Sequence, residues 1–382
     1  MSPVITCVED LRRLAKKRVP RMFYEYADGG SWSEQTYHEN ESDFARIKLR
    51  QRVAVNMENR SLKSTMAGEE IAMPVGLAPV GLVGMQHADG EILAARAAEK
   101  SGVPFTLSTM SICSIEDVAE NVSKPFWFQL YVMRDREFIK RLIDRAKAAE
   151  CSALVLTLDL QIMGQRHKDI RNGLSAPPKI TLRNMLNMST KPRWGLAMLG
   201  TQRRTFRNVV GHASGVGNLS SLSAWSASQL DPTLNWDDVQ WIKERWGGRL
   251  ILKGIMDAED AEIAARTGAD ALIVSNHGGR QLDGAPSSIA ALPAIVQAAG
   301  SKIEVLMDGG IRSGQDVIKA LALGAKGVFI GRAFVYGLGA MGEAGVTKCL
   351  ELIRNELDVT MAFCGLRDVK QVDKSILVPG TY

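Results

Sequence analysis

Eight short apolar runs recur along the chain, and this rhythm constrains the fold more than any other feature. They occupy residues 74–79, 104–108, 126–131, 153–159, 250–254, 271–276, 304–310 and 327–332. Each closes on a polar residue, a glycine or a proline. Amphipathic helical patterns lie between or after them, at 89–101, 134–150, 235–246, 257–268, 313–324 and 343–357. Near-continuous apolar strands alternating with helices form a parallel sheet covered on its outer face. Eight such units close into a (β/α)8 TIM barrel more readily than they form an open sheet. Ahead of the barrel, residues 6–19 read as a helix that stops before Pro20. A second helix covers 21–27 and is stopped by Gly29 and Gly30. Residues 42–72 are polar and mixed, which predicts short strands and turns. The organisation expected is an α/β chain with an N-terminal extension over 1–72, one barrel over 73–360 and an insertion after the fourth strand.

Length and composition bound the rest. The 382 residues suit one barrel with insertions. A net charge of +5 is too small for this length to argue for a nucleic-acid partner. The cysteines, Cys7, Cys113, Cys151, Cys349 and Cys364, are scattered and form no C-x-x-C pair. That argues against a disulfide framework or structural zinc and for a reducing compartment. The start of the chain carries Glu9, Asp10, Arg12 and Arg13 and no apolar core, so no signal peptide is expected. His38, His87, His167 and His212 show no clustered ligand spacing, and no metal is expected.

One interval breaks the rhythm. Between the fourth and fifth runs, residues 161–230 carry ten Lys or Arg and a single acid, Asp169. Met185, Leu186, Trp194, Leu196, Met198, Leu199 and Phe206 are interleaved with that charge. Basic and large apolar residues together suit an anionic membrane surface; a mobile lid or an oligomer contact is the alternative.

Chemistry in such a barrel sits at the C-terminal ends of the strands. The sixth run leads into Ser275-Asn276-His277-Gly278-Gly279-Arg280. This presents an imidazole suited to general-base work near neutral pH and a guanidinium able to grip a carboxylate in two places. Asp159, ending the fourth run, could orient His277 and stabilise its cationic form, or could instead cap a helix or pair with Arg166. Lys253 in an apolar strand needs an anion or developing negative charge; a structural bridge to an interior carboxylate is the alternative. The seventh and eighth runs end in Asp308-Gly309-Gly310-Ile311-Arg312 and Gly331-Arg332. Glycine-rich loops at these strand ends form the usual barrel phosphate site, so a phosphorylated cofactor is expected. Gly337-Leu-Gly339-Ala-Met-Gly342 matches a dinucleotide fingerprint but lies beyond the last strand and its Gly-Arg, so that reading fails its context.

The run from Ser275 to Gly284 resembles the active-site signature of the FMN-dependent 2-hydroxy-acid oxidoreductases. The likeness extends over nearly the whole chain. It is nearest to the bacterial respiratory L-lactate dehydrogenases, through 78–81, 107–110 and 127–131, and weakest in 161–230. The resemblance implies FMN as cofactor and oxidation of a small L-2-hydroxy acid, L-lactate first. It implies His277 as proton acceptor and Asp159 as its support. Arg280 and Tyr26 would hold the substrate carboxylate, with Arg166 as a second arginine and Tyr131 facing the hydroxyl. Lys253 would stand beside the flavin where its reduced form is negative. Ser108, Gln129, Thr157 and Ser275 would bond the ring or ribityl chain, and the backbone of Ala78, Pro79 and Val80 would pack on the flavin. Asp308, Gly309, Gly310, Ile311, Arg312, Gly331 and Arg332 would meet the ribityl and phosphate groups. A homotetramer is implied as well.

Three departures shape the expectation. Met110 stands where glycolate oxidase has tryptophan, which admits a larger substrate side chain. Gly81 replaces the alanine of the oxidases, as in the mandelate and lactate dehydrogenases. Gln161 stands where relatives commonly have proline. A membrane quinone is therefore the first acceptor expected and oxygen the second, at the cytoplasmic face of the inner membrane. The rivals are a 2-hydroxy-acid oxidase, a mandelate-type dehydrogenase, a non-redox phosphate-binding barrel and a silent binding protein.

Overall fold

The computed structural model describes residues 4–174, 181–213, 216 and 229–382. The described residues include ten strands. β1 (Ser64–Met66) and β2 (Glu69–Ile71) form a hairpin. The other eight are β3 (Val75–Leu77), β4 (Thr106–Ser108), β5 (Trp127–Tyr131), β6 (Ala153–Thr157), β7 (Leu250–Ile255), β8 (Ala271–Val274), β9 (Glu304–Asp308) and β10 (Val328–Ile330). All eight expected runs supply a strand. They pair in parallel in the order β3-β10-β9-β8-β7-β6-β5-β4. A bond from Leu77 N to Pro104 O at 2.8 Å and a parallel bridge between Leu77 and Phe105 bring β3 against β4 and close the barrel.

Strand side chains alternate between the barrel interior and its helical jacket. The lower interior is filled by Trp127, Ala153, Val155, Ile251, Ala271, Ile273, Leu306 and Phe329. Two residues further along the same strands the inward positions turn polar, at Gln129, Thr157, Lys253, Ser275 and Asp308, all buried. The switch from apolar to polar along one face makes the upper end of the barrel a site and the lower end a core. The hairpin seals that lower end. Its turn runs through Ala67 and Gly68 at φ 47° and 78°, the left-handed pair a two-residue hairpin needs. Fully buried Met66 joins the Trp127 and Phe329 cluster. Glu69 ties the hairpin down through Arg249 at 2.6 Å and Trp127 Nε1 at 3.1 Å.

Helix starts follow local capping. Asp135, Ser287 and Ser313 each accept a backbone N–H three residues on, and Asn235 and Asp238 form a capping box. In the N-terminal extension the expected helices run Val8–Arg18 and Arg21–Asp28. The expectation of strands and turns from residue 42 needs correction: a third helix, Gln35–Arg46, occupies its start. Its burial repeats at Thr36, Tyr37, Asn40 and Phe44, a helical spacing hidden by polar residue types. The last helix runs Glu343–Phe363, longer than expected. The fingerprint-like glycines pack helices together: a Cβ on Gly337 would lie 2.4 Å from Gly345 O.

The excursion after β6 carries helices His167–Arg171, Leu182–Ser189 and Pro192–Gly200. Leu182, Met185, Leu186, Leu196 and Leu199 are half to nearly three-quarters exposed there. Residues 175–180, 214–215 and 217–228 of the insertion lie outside those described. Among the described residues, no helix is long and apolar enough to cross a membrane.

Candidate active site

The loop after β8 is the most constrained backbone at the mouth. His277, Gly278 and Gly279 follow one another at φ 57°, 66° and 69°. A non-glycine residue there is strained, and such strain persists only where the surroundings enforce it. A Cβ on Gly279 would lie 2.5 Å from Tyr37 N, so the loop sits directly on helix Gln35–Arg46. Buried Asn276 enforces the shape. It exchanges two amide bonds of 2.9 Å with Asn40, accepts Gly279 N at 3.0 Å and donates to Pro286 O at 3.1 Å.

This shape turns the imidazole toward Asp159, with His277 Nδ1 3.0 Å from Asp159 Oδ1. A proton on Nδ1 donated to the carboxylate leaves Nε2 with a free lone pair. Burial holds His277 below its ordinary value, although Asp159 pulls the other way, so the ring is neutral at pH 7. Burial acts to raise Asp159, but the His277 contact and the Lys253 charge outweigh it, and the carboxyl stays ionised. Tyr131 stacks near the imidazole at 6.5 Å; burial raises its pKa, so it remains a phenol able to donate.

Arg280 lies over the Tyr26 ring at 4.7 Å and donates to Tyr26 O and to Gly29 O at 3.0 Å. Burial first, then the Arg166 charge, push it down to about 10. That direction marks a guanidinium in need of an anion. Arg166 does not pair with Asp159; it lies 3.7 Å from Asp169 and 3.4 Å from Arg280 O.

Below these groups the inward polar ring is linked in two arcs. Ser108 Oγ donates to Gln129 Oε1 and Gln129 Nε2 to Thr157 Oγ1, both at 3.1 Å. Lys253 Nζ donates to Ser275 Oγ at 2.7 Å and bridges Asp308 Oδ2 at 2.9 Å. Lys253 thus has its interior carboxylate, and that pair faces a cavity rather than closed core. Arg312 meets Glu41 at 2.8 Å. Arg332 donates to Ala27 O, Gly278 O and Gly29 O at 2.8–2.9 Å and lies over the Tyr37 ring.

A cavity of about 280 Å³ unites these pieces. Of the residues expected at the site, it is lined by Tyr26, Ala78, Pro79, Val80, Tyr131, Thr157, Arg166, Lys253, His277, Arg280, Asp308, Gly309, Gly310, Ile311, Arg312, Gly331 and Arg332. Ser108, Gln129, Ser275 and Asp159 do not line it. They are bonded to lining groups instead: Gln129 to Thr157 with Ser108 behind it, Ser275 to Lys253, and Asp159 to His277. Sequence reasoning missed Leu160, Met163, Asp169, Leu174 and Phe206 as lining residues. A lone acid in a long basic segment was the available signal for Asp169; the apolar ones carried none.

The cavity has the features a flavin mononucleotide needs. Among the described residues Asp308 Oδ1 is buried without a hydrogen-bond partner, an acceptor left free for a hydroxyl donor. Helix Arg332–Met341 begins at the cavity with Gly331 as N-cap and no capping side chain, which leaves its first N–H groups for an anion. Gly331 keeps the approach open, since a Cβ there would meet nothing closer than Val80 Cγ2 at 3.8 Å.

Comparison with known proteins agrees with this class. The FMN-dependent dehydrogenase family matches residues 15–379, and the chain belongs to that family; its cofactor is FMN. Two relatives narrow the comparison. An L-lactate dehydrogenase of Caulobacter vibrioides (strain NA1000 / CB15N) is 46% identical over 378 residues, 98% of each chain. One of Pseudomonas syringae pv. syringae (strain B728a) is 46% identical over 377 residues, 98% of this chain and 99% of that one. The crystal structure of the monotopic membrane protein (S)-mandelate dehydrogenase matches with a TM-score of 0.94 at 37% identity. It covers 98% of this chain and all of the other.

Proposed function

We propose that the chain is an FMN-dependent L-2-hydroxy-acid dehydrogenase that oxidises L-lactate to pyruvate and delivers the electrons to a membrane quinone. The observation that carries this reading is the neutral, Asp159-oriented imidazole of His277 in one cavity with the anion-seeking Arg280. The substrate carboxylate binds Arg280, Tyr26 and Arg166, and Tyr131 meets the hydroxyl. Oxidation to the ketone removes two protons and two electrons, and His277 Nε2 accepts one proton. Asp159 stabilises the imidazolium that forms, as a carboxylate does in a triad. Bound FMN supplies the two-electron acceptor.

Thr157 and Lys253, braced by Gln129, Ser108 and Ser275, hold the flavin ring with the backbone of Ala78, Pro79 and Val80. Asp308 takes the ribityl hydroxyls. Gly309, Gly310, Ile311 and Arg312, with Gly331 and Arg332, hold the phosphate. The quinone assignment draws support from the exposed leucines and methionines of the basic excursion, and from the 37% identity to a monotopic membrane enzyme.

Anaerobic mixing tests the reading. The purified protein should show flavin bands that bleach on addition of L-lactate and recover faster with a soluble quinone than with oxygen. His277→Ala should keep the bands and lose bleaching by roughly 10²–10⁴-fold. A colourless protein, or a variant that bleaches at the wild-type rate, would sink the reading; faster recovery in oxygen would move the acceptor.

A further inference from the structure

We infer that Asp28 is a positioning residue shared by the cofactor and substrate ends of the cavity. It fixes the backbone carbonyls of Tyr26, Ala27 and Gly29, which aim Arg332 at the cofactor phosphate and Arg280 at the substrate carboxylate. The inference rests on the roles given to those two arginines above and adds the residue that sets them together.

Asp28 closes helix Arg21–Asp28 and is buried. Three donor groups converge on its carboxylate. Tyr336 Oη donates to Oδ1 at 2.5 Å, Arg12 Nε to Oδ1 at 2.9 Å and Arg12 Nη2 to Oδ2 at 3.2 Å. A buried carboxylate held by charge-assisted bonds cannot shift without stranding its partners. Those partners come from two other elements. Arg12 lies on helix Val8–Arg18, and Tyr336 on helix Arg332–Met341, whose uncapped start opens on the cavity. Tyr336 follows Arg332 by one helical turn, and Arg312 lies over its ring at 5.9 Å.

The carbonyls on either side of Asp28 go to the two arginines. Tyr26 O accepts Arg280 Nη1, and Ala27 O accepts Arg332 Nε at 2.9 Å. Gly29 O accepts both, Arg332 Nη2 at 2.8 Å and Arg280 Nη1 at 3.0 Å. A guanidinium is a rigid planar fork. The carbonyls of Ala27, Gly29 and Gly278 therefore settle where the remaining donors of Arg332 point. The two cations also repel. Burial first, then charges that include Arg332, push Arg280 down. Guanidiniums that share one carbonyl keep their register only if that carbonyl is held from elsewhere. The helix end contributes through Gly29 N to Glu25 O at 2.8 Å, and the His277 loop through Ser31 N to Gly279 O at 2.9 Å. Asp28 is the side chain between them that ties the segment to the phosphate helix. Fastening the N-terminal helices to the barrel would explain the Arg12 pair alone. It would not explain why the same carboxylate binds Tyr336 between the carbonyls that receive both arginines.

The test compares the wild type, Asp28→Asn and Tyr336→Phe as full-length holoenzymes. Each is dialysed against mixtures of FMN and riboflavin, which differ only in the phosphate, and the bound flavins are quantified. Oxalate, a small carboxylate without an α C–H bond, is titrated into each holoenzyme and followed by flavin absorbance. Asp28→Asn should lower the preference for FMN over riboflavin and the affinity for oxalate, each by about tenfold. Tyr336→Phe removes one neutral donor and should lower both by about threefold. A variant that merely loosened the fold would weaken FMN and riboflavin alike; an unchanged ratio overturns the inference. A loss confined to the flavin ratio or to oxalate overturns it too, since the two must fall together. Tyr336→Phe decides alone if Asp28→Asn does not fold. Failure of L-lactate to bleach the wild-type flavin overturns the hydroxy-acid reading, while the flavin ratio and the oxalate titration still decide the role of Asp28.

Discussion

The two sides of the barrel mouth are made differently. On the β7 to β10 side, most polar groups answer to another within the protein: His277 to Asp159, Lys253 to Asp308 and Ser275, Asn276 to Asn40. On the excursion side, Leu182, Met185, Leu186, Leu196 and Leu199 turn to solvent, and arginines hold the strap from outside. The first side fixes protons and charges to within a hydrogen bond, as chemistry requires. The second exposes large apolar side chains beside the mouth, the face proposed above to meet a membrane. Damage to one side should therefore leave the work of the other intact.

The largest effect should come from Asp159→Asn. Neutralising the carboxylate removes the interaction that raises His277 and the charge that stabilises its cation. Flavin reduction should fall by roughly 10²–10⁴-fold. The sign for pH is definite: the base must be neutral, so activity is lost as pH falls through the His277 pKa. That pKa is already below its ordinary value of about 6.5, and the variant's acid limb should move lower still. Stopped-flow reduction across pH reads both effects; an acid limb that rises instead would contradict the pairing. Vesicle binding should not change.

Next in size is the opposite lesion. Leu182→Gln with Leu186→Gln should weaken sedimentation with anionic vesicles by more than about tenfold, since each leucine gives up apolar burial, while FMN content stays at the wild-type level. Equal sedimentation would remove these leucines from the membrane face. Smallest is Asn40→Ala, which leaves Asn276 without its reciprocal amide. Urea unfolding should register a loss of about 1–3 kcal/mol, with slower reduction as the His277 loop loses its brace. A variant as stable and as fast as the wild type would mean the loop holds its left-handed shape unaided.

The barrel was legible because each strand is a short apolar run bounded by glycine or a polar residue, and the polar mouth because inward positions change character along a strand. Lys253 stood out by that rule alone. Asn40 did not: it sits in a polar helix 236 residues from the loop it braces. The pairing of Lys253 with Asp308 was weighed only as an unnamed carboxylate, since sequence spacing does not say which strand ends face each other. The hairpin fell within the short strands and turns expected over 42–72, but its residues could not be assigned, since three-residue strands are too short for a period to show. The apolar lining residues Leu160, Met163, Leu174 and Phe206 were hidden because they lie scattered along one long excursion whose fold over the mouth is tertiary.

That hairpin governs traffic. With Met66 set among Trp127, Ile251, Leu306 and Phe329, the lower end of the barrel is sealed. Whatever reaches Lys253 and His277 arrives through the upper opening and departs by it. The acid, keto acid and electron acceptor of the proposed reaction would thus share one doorway. For the proposed substrate and acceptor, a single doorway predicts alternation: one partner leaves before the next is served, and excess acceptor should compete with the acid in steady-state assays.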